Sequence, residues 1–215
     1  MRNVSKLHYI SEGATPEIML QNIQSACTSG AEWVQLSLAT FPEAEHLELA
    51  QSARGITSHF QTRLIICDAY EVAKAVKADG VHIENTDLCP TDLRTELYTW
   101  QIIGATAHTL QDCEALAQKE VDYIFLGPYK VEGSETPTKP SLGIKGYASI
   151  MDVLETPIPV IGFGGVKTTA VKDILETGVS GVAVSEEITH NFDTIKTFHH
   201  LLKSSVIAEQ RHTFE

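Results

Sequence analysis

Hydrophobic and polar positions along this chain follow two rhythms. Short runs of apolar and β-branched residues recur at 7–10, 33–38, 63–67, 80–83, 101–106, 123–127, 158–163 and 181–185. Between them, apolar residues return every three or four positions. Met19, Ile23, Ala26 and Cys27 form one stripe, Leu110, Cys113, Leu116 and Ala117 a second, and Val171, Ile174 and Leu175 a third. That spacing predicts amphipathic helices. The helical rhythm is weakest after 80–83. Unbroken apolar runs alternating with helices predict parallel strands buried on both faces. Eight such units in roughly 200 residues predict an α/β fold of one domain, a (β/α)8 TIM barrel over 1–205, with 206–215 as a C-terminal tail. A doubly wound open sheet is the alternative. It usually has fewer strands and carries its glycine-rich turn early in the chain.

The junctions repeat as well. SGAEWVQL (29–36), KADGVHI (77–83), EVDYIFL (120–126) and ETGVSGVAV (176–184) each place a small or acidic residue between a helix end and a strand start. Thr15-Pro16 reads as a helix start, with a hydroxyl cap and a proline in the first turn. Gly178 reads as a helix stop.

Composition narrows the function. With 16 Lys and Arg against 28 Asp and Glu among 215 residues, the net charge is −12. A nucleic-acid partner, whose phosphates need a basic face, is excluded on that ground. Any anionic ligand must be held by local groups against the overall field. No apolar run approaches the roughly 20 residues that cross a bilayer, so no membrane partner is expected. The opening MRNVSKLHYISEG lacks the apolar stretch of a secretory signal, and the cytoplasm is the expected location. Cys27, Cys67, Cys89 and Cys113 are scattered without a C-x-x-C pair, which predicts reduced, mostly buried thiols.

Candidate chemistry lies where a TIM barrel keeps its active site, at the C-terminal ends of the strands. Gly164-Gly165 follows the seventh strand and Val184-Ser185 closes the eighth. A phosphate held by bare backbone N–H groups is one reading; a tight βα turn is the other. Asp68 and Asp87 follow the third and fourth strands. They read either as Mg²⁺ ligands or as caps of the next helices. His108, after the fifth strand, reads as an acid or base, or as the cap of the helix beginning at 109. His82 is expected to point into packing.

Taken together, VQL (34–36), DAYEVA (68–73), ADGVHI with Asp87 (78–87), IGATAHT (103–109), DYIFLGP (122–128), IPVIGFGG (158–165) and GVAVSEEI (181–188) resemble the thiamin phosphate synthase family, which includes a thiazole tautomerase branch. The resemblance covers nearly the whole chain. It implies a (β/α)8 barrel that joins hydroxymethylpyrimidine diphosphate to hydroxyethylthiazole phosphate, releasing pyrophosphate. It further implies that Gln35 touches the pyrimidine, Asp68 and Asp87 hold Mg²⁺, and Thr106 and Lys139 contact the pyrophosphate. Gly164, Gly165 and the backbone at Ser185-Glu186 would hold the thiazole phosphate. A homodimer is a further expectation.

This chain also departs from the family pattern. Where the second strand of the family carries two cations, Ser37 and Ala39 stand here, and Cys67 and Glu84 replace an asparagine and a small residue. The loop GPYKVEGSETPTKPSLG (127–143) can be aligned to bring Lys139 or Glu135 to the diphosphate, and Lys130 could also reach in. Glu186 and Glu187 are acidic beside an expected anion. Two unit charges about 4 Å apart interact by roughly 4 kcal/mol at an effective dielectric near 20, so these exchanges bear on diphosphate binding. Three readings follow: a synthase, a thiazole tautomerase in which His108 shuttles the proton, and a non-catalytic paralogue that binds a phosphorylated metabolite.

Overall fold

Eight parallel strands close on themselves in sequence order: β1 (Leu7–Ile10), β2 (Trp33–Leu36), β3 (Arg63–Cys67), β4 (Gly80–Ile83), β5 (Ile102–Ala107), β6 (Tyr123–Leu126), β7 (Val160–Phe163) and β8 (Gly181–Val184). Leu7 of β1 lies opposite Val182 of β8, which completes the ring. The computed structural model describes residues 3–85, 87–131 and 139–212, with side chains as far as 203. The helices are α1 (Pro16–Thr28), α2 (Glu43–His59), α3 (Tyr70–Ala75), α4 (Pro90–Glu96), α5 (Leu110–Ala117), α6 (Gly143–Met151), α7 (Val171–Glu176), α8 (Glu186–His190) and α9 (Thr194–His212). The expected (β/α)8 barrel is the observed fold. The expected tail from 206 begins within α9, whose helix continues to His212.

Alternation along each strand explains the unbroken apolar runs. Trp33, Ile65, Ile102, Tyr123, Phe125, Ile161 and Ala183 fill the barrel interior. Their strand neighbours, such as Val34, Leu64, Ile66, Ile103 and Ile124, pack outward among the helices. Both faces are therefore buried and mostly apolar. Helix α1 buries Met19, Ile23, Ala26 and Cys27, and the Thr15 hydroxyl accepts from Ile18 N at its start. No described helix is long and apolar enough to cross a membrane. All four cysteines are free thiols, and Cys27, Cys67 and Cys113 are buried.

The recurring acidic junctions have a structural duty at the opposite end from the mouth. Asp79, before β4, accepts from Leu64 N of β3 at 2.9 Å and pairs with Arg54. Asp122, before β6, accepts from Ile103 N of β5 and from the Arg94 guanidinium, both at 2.8 Å. Each carboxylate thus ties the entry of one strand to the strand before it. A one-residue slip would lose both bonds. The register this fixes decides which side chains reach the mouth.

Candidate active site

Inside the barrel lies a set of polar side chains that reaches the mouth at Thr106. His82 is fully buried, with Nδ1 3.0 Å from the Tyr123 hydroxyl and Nε2 2.9 Å from the Thr106 hydroxyl. Burial, and then the neighbouring His8, lower the His82 pKa to about 3, so its ring is neutral. His8 stacks on Trp33 with ring centroids 4.5 Å apart and contacts the Ser5 carbonyl through Nε2. Its burial likewise lowers its pKa to about 3. Tyr123 fits because Gly104 has no side chain: a Cβ there would collide with the tyrosine ring. His82 therefore points inward, as expected, but into a hydrogen-bonded chain that ends at half-buried Thr106.

Gln35, at the end of β2, is fully buried, and its Nε2 donates to Cys67 Sγ at 3.1 Å. Its Oε1 has no partner within the protein, which leaves an acceptor available to a ligand or a water. Asp68 adopts φ +53°, and its Oδ1 accepts from Glu84 N at 2.8 Å and Asn85 N at 3.0 Å. It does not cap α3, whose N-cap, Ala69, has no side-chain bond. Asp68 instead ties the end of β3 to the loop after β4. Asp87 is exposed in that loop, with its N–H on Asn85 Oδ1, and it does not cap α4, whose N-cap is Cys89.

Glu84 lies open to solvent by area, yet neighbouring protein removes enough water to raise its pKa. The charge of Asp68 adds to the rise, and His108 opposes it. Among the described residues, no group of three His, Cys, Asp or Glu side chains could hold a metal ion. The donors at this corner are nevertheless all hard carboxylate oxygens. They suit a Mg²⁺ shared with ligand phosphates, which needs only one or two carboxylates from the protein, rather than a closed cage.

His108 is half-buried, and its Nδ1 lies 2.6 Å from the Gly127 carbonyl. A carbonyl can only accept, so Nδ1 carries the proton and the basic nitrogen is Nε2. The helix cap beside it is Thr109, which forms a capping box with Asp112. The capping alternative for the His108 side chain is therefore set aside.

Across the mouth, Gly164 and Gly165 have φ +87° and +61°, a region that disfavours any side chain. What approaches them most closely is the protein itself. A Cβ on Gly164 would lie 2.6 Å from Pro128 Cβ, and one on Gly165 would collide with the Lys130 carbonyl oxygen. The segment after β6 docks there through Tyr129 N to Phe163 O at 2.6 Å and Lys130 N to Gly164 O at 3.0 Å. The same glycines also line a cavity of about 410 Å³ with Lys130, Lys167, Ser185 and Glu186. The Ser185 hydroxyl donates to Ile10 O at 2.7 Å, joining β8 to β1 at the rim. Thr168 Oγ1 lies 3.4 Å from Glu187 Oε1.

Lys139 is exposed at the end of the loop before α6. Glu135 and Thr136-Pro137-Thr138, which the alternative alignments turn on, lie outside the described residues. Lys167 was not singled out from the sequence, although it follows the glycine pair by two positions and could have been found as the first cation after that turn. Glu12 lines the same cavity and gave no signal.

Known proteins resemble this chain in sequence and fold. A family model described as thiamine monophosphate synthase matches residues 7–188. The chain is 34% identical over 190 residues to the thiamine-phosphate synthase of Flavobacterium psychrophilum, covering 87% of this chain and 92% of that one. It is 33% identical to the thiamine-phosphate synthase of Flavobacterium johnsoniae, covering 87% and 90%. Among solved structures, the thiamine phosphate pyrophosphorylase from Pyrococcus furiosus matches with a TM-score of 0.77 at 25% identity, covering 93% and 96%. This chain belongs to the thiamine monophosphate synthase family.

Proposed function

We propose that this protein is a thiamine-phosphate synthase, a transferase that joins hydroxymethylpyrimidine diphosphate to hydroxyethylthiazole phosphate. One observation carries the reading. A chain matched to this family over residues 7–188 has, at the strand-end mouth, a cavity of about 410 Å³ lined by Gly164, Gly165, Ser185, Glu186 and two lysines, with room for a phosphate and the ring that carries it. The thiazole phosphate would occupy that corner. Lys130 and Lys167 supply positive charge there, against the three carboxylates Glu12, Glu186 and Glu187 that line the same cavity.

The pyrimidine end would lie over Gln35, whose unpartnered Oε1 accepts a hydrogen bond from the ring's amino group. The C–O bond to the diphosphate breaks with its electron pair leaving on pyrophosphate, and the thiazole nitrogen lone pair closes the new C–N bond. The chain's contribution is positioning and charge stabilisation. Thr106 and Lys139 would contact the departing pyrophosphate. Asp68 and Asp87 would hold Mg²⁺, which when bound neutralises diphosphate charge that Ser37 and Ala39 cannot.

His108 supports a second reading, thiazole tautomerase activity. Its Gly127 contact leaves Nε2 as the basic nitrogen, the state a proton shuttle needs. Two assays on the same protein separate the readings: Mg²⁺, the pyrimidine diphosphate and the thiazole phosphate followed by phosphorus NMR, and the non-aromatic thiazole phosphate tautomer followed by its ultraviolet spectrum. Sustained formation of thiamin phosphate and pyrophosphate is expected. Isomerised thiazole alone would favour the second reading, and neither product would overturn both.

A further inference from the structure

The chain of hydrogen bonds beneath the mouth has a direction. A neutral imidazole has one N–H and one lone pair, so Tyr123, His82 and Thr106 can be connected in two ways. In the first, Thr106 donates to Nε2 and Nδ1–H donates to Tyr123. The phenol hydrogen then has no acceptor, because Tyr123 is fully buried and His82 is the one partner of its hydroxyl among the described residues. A buried donor left unpaired is costly. In the second, the phenol donates to Nδ1 and Nε2–H donates to Thr106 Oγ1. Every buried hydrogen is then used, and the Thr106 hydroxyl hydrogen remains available at the half-buried end of the chain. The ring plane is held as well: His82 stacks on Tyr123 at 5.4 Å and packs against Phe125 at 4.2 Å between centroids.

We propose that His82 is a positioning residue: held by Tyr123 with its proton on Nε2, it leaves the Thr106 hydroxyl hydrogen free to donate toward an anionic ligand oxygen in the mouth. A hydroxyl that accepts one hydrogen bond becomes a stronger donor of the next. Such a donor suits a phosphate oxygen, and it adds no charge. That matters in a chain with Ser37 and Ala39 where two cations are expected. The inference rests on the diphosphate lying over Thr106, as proposed above.

Two measurements test it. Nitrogen-15 NMR of histidine-labelled protein should report His82 with its proton on Nε2; a proton on Nδ1 would overturn the proposal whatever the ligand does. Calorimetric titration with magnesium pyrophosphate then compares the parent with His82→Asn, His82→Gln and Thr106→Val. Losing one donor to a charged ligand predicts about tenfold weaker binding for His82→Asn. Glutamine, whose amide nitrogen can take the Nε2 position, should recover most of that loss. His82→Asn should cost nothing further on a Thr106→Val background; an equal loss there would reduce His82 to packing and sink the proposal. Should the His82 variants not fold, Tyr123→Phe removes the phenol hydroxyl that holds Nδ1 while leaving the histidine in place, and unchanged pyrophosphate affinity in that variant would be equally fatal. A parent protein that bound no pyrophosphate would overturn the diphosphate reading, while the tautomer would still decide the direction of the chain.

Discussion

Replacing Gly165 with alanine tests what the glycine pair is for. Two effects must be separated. At φ +61° any side chain is strained by about 1–2 kcal/mol, and alanine returns roughly 0.4–1 kcal/mol by restricting the unfolded chain. The net conformational loss is therefore about 0–1.6 kcal/mol. The second effect is local: the new Cβ would run into the Lys130 carbonyl oxygen, so the segment at 128–130 must move. That movement endangers the bonds from Tyr129 N to Phe163 O and from Lys130 N to Gly164 O, worth about 0.5–1.5 kcal/mol each. The expected total is about 1–4.5 kcal/mol. Gly30 is the internal control, with φ +96° and open space where its Cβ would lie, so Gly30→Ala should show the conformational loss alone. Urea unfolding of both variants measures the difference. A Gly165→Ala protein no less stable than Gly30→Ala would refute the docking argument. Thiazole phosphate affinity, measured on the same samples, should fall only in Gly165→Ala, because Lys130 reaches the cavity from the displaced segment.

Further outcomes follow from the mouth and the interior. Asp87→Ala should abolish Mg²⁺-dependent thiamin phosphate formation; undiminished turnover would remove it from the metal. Ser37→Arg combined with Ala39→Lys should strengthen pyrophosphate binding tenfold or more, since each restored contact is worth on the order of 1.5 kcal/mol or above, and calorimetry showing no gain would mean these positions do not face the ligand. His8 and His82 have folded pKa values near 3 against 6.5 when exposed, so the stability they confer is complete above pH 6.5 and is lost as pH falls toward 3. Each should cost about 1.4 kcal/mol per pH unit across that window, read from urea unfolding at pH 7.5 and 4.5. Similar stability at the two values would contradict the buried neutral rings. Glu84 runs the other way: its raised pKa favours the folded state only when the group is protonated, so Glu84→Gln should raise the melting temperature at pH 7 and leave it unchanged below about pH 4. A loss at neutral pH would count against the crowding of Glu84 by Asp68.

The barrel was legible in the sequence because its strands are dry on both faces. A run such as Ile102–Ala107 can be read without knowing its neighbours. The acidic junctions were visible as a repeat, but their duty was not, since Asp79 and Asp122 act on the strand before them. What lay closest to Gly164 and Gly165 was hidden for the same reason: a bare backbone announces a close approach without saying by what. Local signals were available at His108, where Thr109 and Asp112 spell a capping box and leave the histidine free for other work. Gln35, Asp68 and Thr106 could be placed on strand ends from the sequence. Their partners Cys67, Glu84 N and His82 depend on the register between strands, which pattern alone does not carry.

The most direct test of the account is a crystal structure with Mg²⁺, thiazole phosphate and pyrophosphate bound together. The account predicts two phosphate positions in one mouth: the thiazole phosphate between the turns at 164–165 and 185–186, and pyrophosphate over Thr106 beside Asp68 and Asp87. Both groups in the same corner, or a phosphate bound away from the strand ends, would contradict it.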